Sequence, residues 1–448
     1  MFGPLCDLAA RRVALAVSGG SDSTALMVLF AEWLAAGASP AEVVVLTVDH
    51  GLRPQSPVEA LTVARWAKEL GFCHAILPWQ GAKPKTGLQA AARGARYRLL
   101  AEHMQGAGIK MVMTAHTADD QAETLLMRLA RGSGLDGLAA MAPLVPLNIP
   151  LAPGEGPLLL ARPLLNFSKA RLAAALTARG RGWLEDDSNS VLVFERARLR
   201  AQAKTLHGLG LTGDSLALSA HRLQRARAAL DAAVALFCAA DADRYRIEAC
   251  GSISIDRAAL CQLPSELVLR VLSKAIAAAG GSGRPVSLAK LETLAATLAT
   301  RAASGTWTLA RASIKAVGGT IMLEREPGRG PWPELVLARG ERALWDGRFW
   351  VAAGPKLEGA LEVRALGRAG ASWLRREGAL ARDVPLQALR ALPGFWHEAS
   401  LIAVPSLGFL AKTDYAGYGL AAVFAPLAEV AGRPAEAQLA EARPVEAN

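Results

Sequence analysis

The stretch Ala16–Leu26, "AVSGGSDSTAL", constrains this chain more than any other part of it. It follows an apolar run, "RVALAV" (12–17), and runs into a helical pattern, so a buried strand must turn through two glycines and three serines directly into a helix. A turn of that composition is a phosphate cradle. Gly19 and Gly20 allow positive φ and leave backbone N–H groups bare, while Ser18, Ser21 and Ser23 add hydroxyl donors. A helix starting near Asp22 brings its positive end to the same point. No Gly-Lys-Ser or Gly-Lys-Thr follows, which excludes a Walker A loop. Asp22 is the informative departure: a carboxylate among phosphates repels them unless a divalent cation lies between, so the loop implies Mg²⁺. Taken alone, the same residues also suit a plain turn capped by Asp or Ser.

The surrounding pattern decides what such a turn belongs to. Short apolar runs at 12–17, 43–48, 74–79, 110–115 and 158–165 alternate with helical stretches near 22–36, 57–70, 88–105 and 119–131. Strands buried on both sides and alternating with helices predict an α/β fold with a doubly wound parallel sheet. In such sheets ligands bind beyond the carboxyl ends of the strands, which puts Ser18-Gly19-Gly20, Asp49-His50 and Ala115-His116 on one rim. Ser168 reads as the N-cap of a further helix that Gly180 ends. Helical patterns at about 215–240, 256–279 and 286–303 follow, then a hairpin broken at Gly318-Gly319. The segment 328–334 reads as a linker before a β-rich stretch. The expected domains are 1–210, a mainly helical 212–326, a small β-rich 333–428, and a disordered tail over 429–448 that is rich in Ala, Glu and Pro. The proline-rich segment 143–160 reads as a surface loop.

Composition narrows the classes. The chain has 448 residues, is 52% apolar and 20% charged, and carries a net charge of +10 spread over both halves. That charge suits a polyanionic partner, although an Ala- and Arg-rich composition produces it as readily. No uninterrupted apolar run approaches the roughly 18 residues of a membrane span, and no secretory pattern opens the chain. Five scattered cysteines without a C-x-x-C pair point to a reducing cytoplasm and away from zinc or iron–sulfur ligation.

A second constellation, "TAHTADDQAETLLMRLARGSG" (114–134), sets His116 at a strand end with Asp119, Asp120 and Glu123 in the helical turn behind it. Acids there complement a helix dipole in any protein. On the same rim as the loop, Asp22 and Asp120 can also hold one Mg²⁺ over the phosphates.

Together, "SGGSDS", "VDHGLR" (48–53), "AARGARYRLL" (91–100), "HTADDQAETLLMRLARGSGLDGLAAM" (116–141) and "EDDSN…FERARLR" resemble the tRNA(Ile)-lysidine synthetases. These belong to the PP-loop, or N-type, ATP pyrophosphatases. The motifs run in order through the first 200 residues, and the C-terminal half matches only in layout and short pieces. The resemblance implies a ligation using ATP and Mg²⁺. The wobble cytidine of tRNA(Ile) with a CAU anticodon is adenylated with release of pyrophosphate, then the ε-amine of L-lysine displaces AMP. It implies ATP contacts from Ser18, Gly19, Gly20, Ser21, Asp22 and Ser23, and Mg²⁺ at Asp22 and Asp120. It leaves His116, Asp119 and Glu123 as unranked candidates for handling the lysine amine. His50, Arg53, Arg93, Arg96, Arg131, Arg196 and Arg200 become candidates for RNA or phosphate contact. The two C-terminal regions then grip tRNA; a homodimer is entertained as the assembly, on no residue of its own. Arg196 is followed by Ala197 where the family usually has Asn, which puts an amide role there in doubt but not the arginines.

Three other readings use the same loop. A tRNA thiolase needs paired cysteines, and Cys6 and Cys73 are the two in the catalytic region, far apart. An amide-forming synthetase fed by glutamine needs a glutaminase domain. A nucleotide-regulated RNA-binding protein without catalysis needs no Asp22–Asp120 pair.

Overall fold

The computed structural model describes Phe2 and residues 12–37, 42–84, 86–147, 158–185, 195–283, 286–300, 304–328, 331–377, 384–411 and 413–425. It divides into two units, residues 1–151 with 156–228, and residues 152–155 with 229–448. The expected tail lies outside the described residues.

The first unit is built on β1 (Arg12–Ala16), β2 (Glu42–Asp49), β3 (Cys73–Pro78), β4 (Met111–Met113), β5 (Leu144–Pro146) and β6 (Leu159–Ala161), in the sheet order β3-β2-β1-β4-β6-β5. All neighbours are parallel except β5, which runs antiparallel to β6. The apolar runs are continuous because the sheet is covered on both faces. Val13, Leu15, Val43, Val45, Met111, Met113 and Ala161 point into one core, under α1 (Ser21–Ala35), α2 (Ser56–Glu69) and α6 (Lys169–Thr177). Their alternates Ala14, Leu46, Val112 and Leu160 point into another, closed by Leu100, Ala101 and Met104 of α3 (Leu88–Gly106). Helix α4 (Ala118–Ala130) follows β4, then the single turn α5 (Leu135–Leu138); α7 (Glu195–Ala201) and α8 (Ala203–Gly208) lead to the long α9 (Gly213–Ala240).

The chain leaves β1 to form β2 on one side, whereas β4 lies on the other side of β1. The switch point of this sheet is therefore between β1 and β4, where a crevice opens beyond the strand ends. The surface loop expected over 143–160 is corrected at its ends. Leu144–Pro146 pairs with β6 as an edge strand, where Pro146 costs no ladder bond to an outer neighbour. Residues 148–157 lie outside the described residues.

The second unit carries more sheet than the helical pattern suggested. Helices α10 (Arg257–Cys261), α11 (Ser265–Gly280) and α12 (Leu288–Ala299) accompany an antiparallel sheet of β7 (Tyr245–Ile247), β8 (Ile253–Asp256), β9 (Gly305–Leu309), β10 (Ala312–Val317) and β11 (Thr320–Arg325). The expected hairpin is its β10–β11 pair, with Gly318 and Gly319 both at positive φ (58° and 90°) in the two-residue turn. Beyond it, β12 (Leu335–Ala338), β15 (Ala360–Ala365), β16 (Pro393–His397), β17 (Ser400–Val404) and β18 (Phe409–Leu410) form one sheet. A smaller one contains β13 (Arg342–Trp345), β14 (Phe349–Ala352) and β19 (Ala421–Phe424), with α13 (Gly367–Glu377) and α14 (Leu386–Arg390) alongside. In the segment read as a linker, Trp332 stacks on Trp345 and the Pro333 carbonyl accepts the Trp345 indole N–H at 2.9 Å, so its described part is packed rather than loose.

One ionic cluster ties the two sheet systems of this unit together. Asp346, in the β13–β14 turn, has a fully buried side chain that accepts from Arg325 of β11 (2.9 and 3.1 Å), from Arg348 (2.9 Å) and from Arg311. Burial disfavours its ionised form, but the three guanidiniums outweigh that and hold its pKa below the ordinary aspartate value. Burial pulls Arg348 down to about 10, against the attraction of Asp346.

Candidate active site

The loop after β1 owes its shape to Gly19. Its φ is +91°, and a Cβ there would lie 2.6 Å from Leu184 Cδ1 and 3.1 Å from Val63 Cγ2. Gly20 does not use the freedom expected of it. Its φ is −67° and ψ 163°, so it is an extended N-cap of α1, and the space where a Cβ would go is open. Gly20 offers no capping side chain, and the first helical bond closes from Thr24 N–H to Gly20 O at 2.9 Å. The N–H groups of the first turn before it therefore have no partner within the helix. Ser23 is buried and closes the loop on itself: its hydroxyl donates to Gly20 O (3.0 Å) and accepts the Ser18 N–H (3.2 Å). Ser18, Ser21 and Asp22 line a cleft of about 660 Å³.

Beyond β4, Thr117 caps α4, and Asp120 completes a capping box by accepting the Thr117 N–H at 2.9 Å and its hydroxyl at 3.0 Å. Both accepted bonds fall on Asp120 Oδ2, whereas Oδ1 lies 3.5 Å from the Lys169 ammonium. The capping role and the site role thus share one carboxylate. His116 lines the cleft, with Nδ1 2.9 Å from the Thr114 hydroxyl.

A third strand end completes the site. After β6, Ser168 caps α6 by accepting the Arg171 N–H (3.4 Å), and Lys169 is the first residue of that helix. Its backbone N–H donates to Asp119 Oδ2 at 2.7 Å, and its Nζ stands 3.5 Å from Asp22 Oδ2 as well as from Asp120 Oδ1. The two acids are driven apart in acidity. Burial, with Asp120 nearby, raises the Asp22 pKa despite Lys169. Asp120 is also penalised by burial, but Lys169, the Thr117 N–H and His116 reverse that and lower it. Among the described residues, no three His, Cys, Asp or Glu side chains converge as a metal cage. A carboxylate pair that already faces a positive charge suits a hard divalent ion that takes its remaining ligands from water and phosphate.

The remaining predicted residues divide by place. Arg96 and Tyr97 of α3 also line the cleft, with the Arg93 guanidinium 5.0 Å from the Tyr97 ring centre. Arg96 Nη2 lies 3.4 Å from His50 Nε2, and burial together with Arg96 lowers the His50 pKa. Glu123 is held by Arg200 of α7 through two bonds, at 2.5 and 3.2 Å. Arg53 is paired with Glu59 at 2.8 Å. Arg131 is the C-cap of α4, at the opposite end of that helix from Asp120. Arg196 belongs to α7, and its side chain lies outside the described residues. Sequence reasoning passed over Lys169 and the Trp183–Glu185 wall. The signal for Lys169 was present: β6 is parallel to β4, so the residues that follow it had to reach the same rim.

A six-stranded α/β sheet with this loop at its switch point defines a PP-loop protein, and residues 3–205 match the PP-loop domain family. A tRNA(Ile)-lysidine synthase of Bradyrhizobium sp. is 46% identical over 304 residues, covering 66% of this chain and 80% of the relative. That of Ruegeria pomeroyi is 38% identical and covers 89% of both chains; that of Brucella suis is 33% identical over 91% of this chain and 88% of its own. The chain belongs to the tRNA(Ile)-lysidine synthase family.

Proposed function

We propose that this protein joins L-lysine to the wobble cytidine of a tRNA(Ile) bearing a CAU anticodon, spending ATP to AMP and pyrophosphate through an adenylated cytidine. The observation that carries the reading is the Asp22–Lys169–Asp120 arrangement facing the loop at the switch point, in a chain whose relatives bear that name. The N–H groups at the start of α1, with Ser18 and Ser21, receive the polyphosphate. Asp22 and Asp120 would hold Mg²⁺, which neutralises phosphate charge when bound. Arg93 and Arg96 present the RNA to the α-phosphate, a proximity effect.

Of the three candidates for the lysine amine, Asp119 is engaged by the Lys169 N–H and Glu123 by Arg200. His116, whose Nδ1 meets the Thr114 hydroxyl, is the one of the three that lines the cleft, and we assign it to accept the proton. A thiolase reading gains nothing here. Cys73 begins β3, at the end of the strand remote from the rim, and the other described cysteines belong to the second unit. Among the described residues no helix is long and apolar enough to cross a membrane. A tRNA substrate goes with cytoplasmic action; a homodimer is retained as the assembly, to be read by sedimentation.

The test is pyrophosphate release from ATP with unmodified CAU tRNA(Ile), with and without L-lysine. RNA-dependent release with lysine incorporated at the wobble base is the expected result. Release without incorporation would leave the activation step and refute the nucleophile; no release from folded protein and intact tRNA would leave a nucleotide pocket alone.

A further inference from the structure

Lys169 is anchored at its root and loose at its head. Its backbone N–H is fixed on Asp119 at 2.7 Å and its helix is capped by Ser168. Its ammonium stands 3.5 Å from each of two carboxylates, beyond the usual span of an N–H···O bond, and the side chain is 34% exposed. It also lines the cleft. A committed salt bridge would close on one partner; an ammonium shared at equal distance is held by charge rather than by direction.

The charges themselves say why it is there. Asp22 and Asp120 each place a carboxylate oxygen 3.5 Å from the same ammonium, and Asp120 adds to the rise of the Asp22 pKa, so without a cation between them the pair is self-repelling. A divalent ion between the same carboxylates would be repelled in turn by an ammonium a few ångströms away. The ammonium and the ion therefore compete for one place.

We propose that Lys169 is the resident counter-cation of the Asp22–Asp120 pair, which yields that place to the divalent ion and turns its charge onto the phosphates in the cleft. The second half rests on the ligase reading above; the first does not. Because Lys169 opens α6, its backbone stays fixed while the side chain swings, and the site keeps its shape through the exchange. Displacement then couples filling of the metal place to delivery of a cation to the reacting phosphate. In that loaded state Lys169 is a catalytic residue.

The experiment compares the full-length wild type with Lys169→Met and Lys169→Arg. Mn²⁺, a spectroscopically visible divalent ion, is titrated without nucleotide by electron paramagnetic resonance and calorimetry, and RNA-dependent pyrophosphate release is measured separately. Losing the competitor should tighten Mn²⁺ binding by about 3- to 10-fold, reduced from the bare Coulomb value by screening. Losing the cation at the phosphate should slow release by about 100-fold. Lys169→Arg, which keeps the charge, should show wild-type Mn²⁺ affinity and recover part of the rate. Unchanged or weaker Mn²⁺ binding in Lys169→Met, or no Mn²⁺ binding in either protein, overturns the counter-cation role. Tighter binding with an unchanged rate overturns the transfer to phosphate. If wild type itself releases no pyrophosphate, the ligase reading falls while the titration still judges the counter-cation. Should Lys169→Met not fold, Lys169→Gln is held to the same two expectations.

Discussion

Gly19 and Gly20 are neighbours with opposite reasons to be glycine. Gly19→Ala must strain a φ of +91° and push a methyl group against Leu184, so it should cost well over 1 kcal/mol in urea unfolding and abolish pyrophosphate release. Gly20→Ala meets no atom within 4 Å at a φ of −67°, so folding should change by less than about 0.5 kcal/mol; any loss would fall on ATP binding. The two aspartates should also part ways. Asp22 has a pKa raised by burial: its charge weighs against folding, a penalty that appears as pH rises through the folded pKa. Asp22→Asn should therefore raise the melting temperature of the ligand-free protein at pH 7 while ending pyrophosphate release. Asp120, whose pKa is lowered against its burial, contributes stability that is present above its unfolded pKa and lost as pH falls through the folded one. Asp120→Ala removes that and half of a capping box, a loss of about 1 kcal/mol at pH 7 by urea unfolding. Asp22 and Asp120 were readable as site residues because each lies in the first turn of a helix that follows a strand of the sheet. Lys169 opens such a helix too, so its place on the rim was readable, whereas its approach to two carboxylates from other helices was not.

At the level of elements, legibility followed burial. β1 and β2 were plain because both faces of the sheet are covered and the runs 13–17 and 43–48 are apolar but for Thr47. β5 and β7 are three residues each, at sheet edges, and no periodicity survives in so short a piece. Helix α4 shows how a motif can mislead within one element. Its 13 residues span about 20 Å, so Arg131 is remote from Asp120 although the two lie in one continuous motif. Helices α3 and α7 predict different behaviour for their arginines. Arg93 is exposed on the Tyr97 ring, whereas Arg200 is committed to Glu123. Arg93→Ala should weaken tRNA binding and lower the slope of log affinity against log salt by about one. Arg200→Ala should leave that slope unchanged and destabilise the fold by about 1 kcal/mol, because the pair is partly exposed and screened. Filter binding across a salt series separates the two.

For the whole molecule, the sequence read as helical, linker and β-rich pieces in turn, yet its second unit is joined across the 328–334 segment by Asp346 and three guanidiniums. No local pattern marks that residue: it sits at φ +50° in a turn, and of its partners Arg348 is two residues away while Arg311 and Arg325 come from the β9–β11 sheet far back in the chain. Asp346→Ala would strand Arg348, whose side chain is 1% exposed, without its counter-charge. It should cost about 3–5 kcal/mol by calorimetry of the full chain at pH 7. Asp346 is an acid with a lowered pKa, so its contribution is full above the unfolded value and fades as acid reaches the folded one.

That cluster also decides where the chain can be cut. A fragment ending near residue 328 would keep Arg311 and Arg325 and lose the aspartate that neutralises them; one starting near 333 would keep Asp346 and Arg348 with two of three guanidiniums gone. Neither piece is a natural unit of expression, and any recombination of parts between relatives has to carry residues 311–348 as a single inheritance.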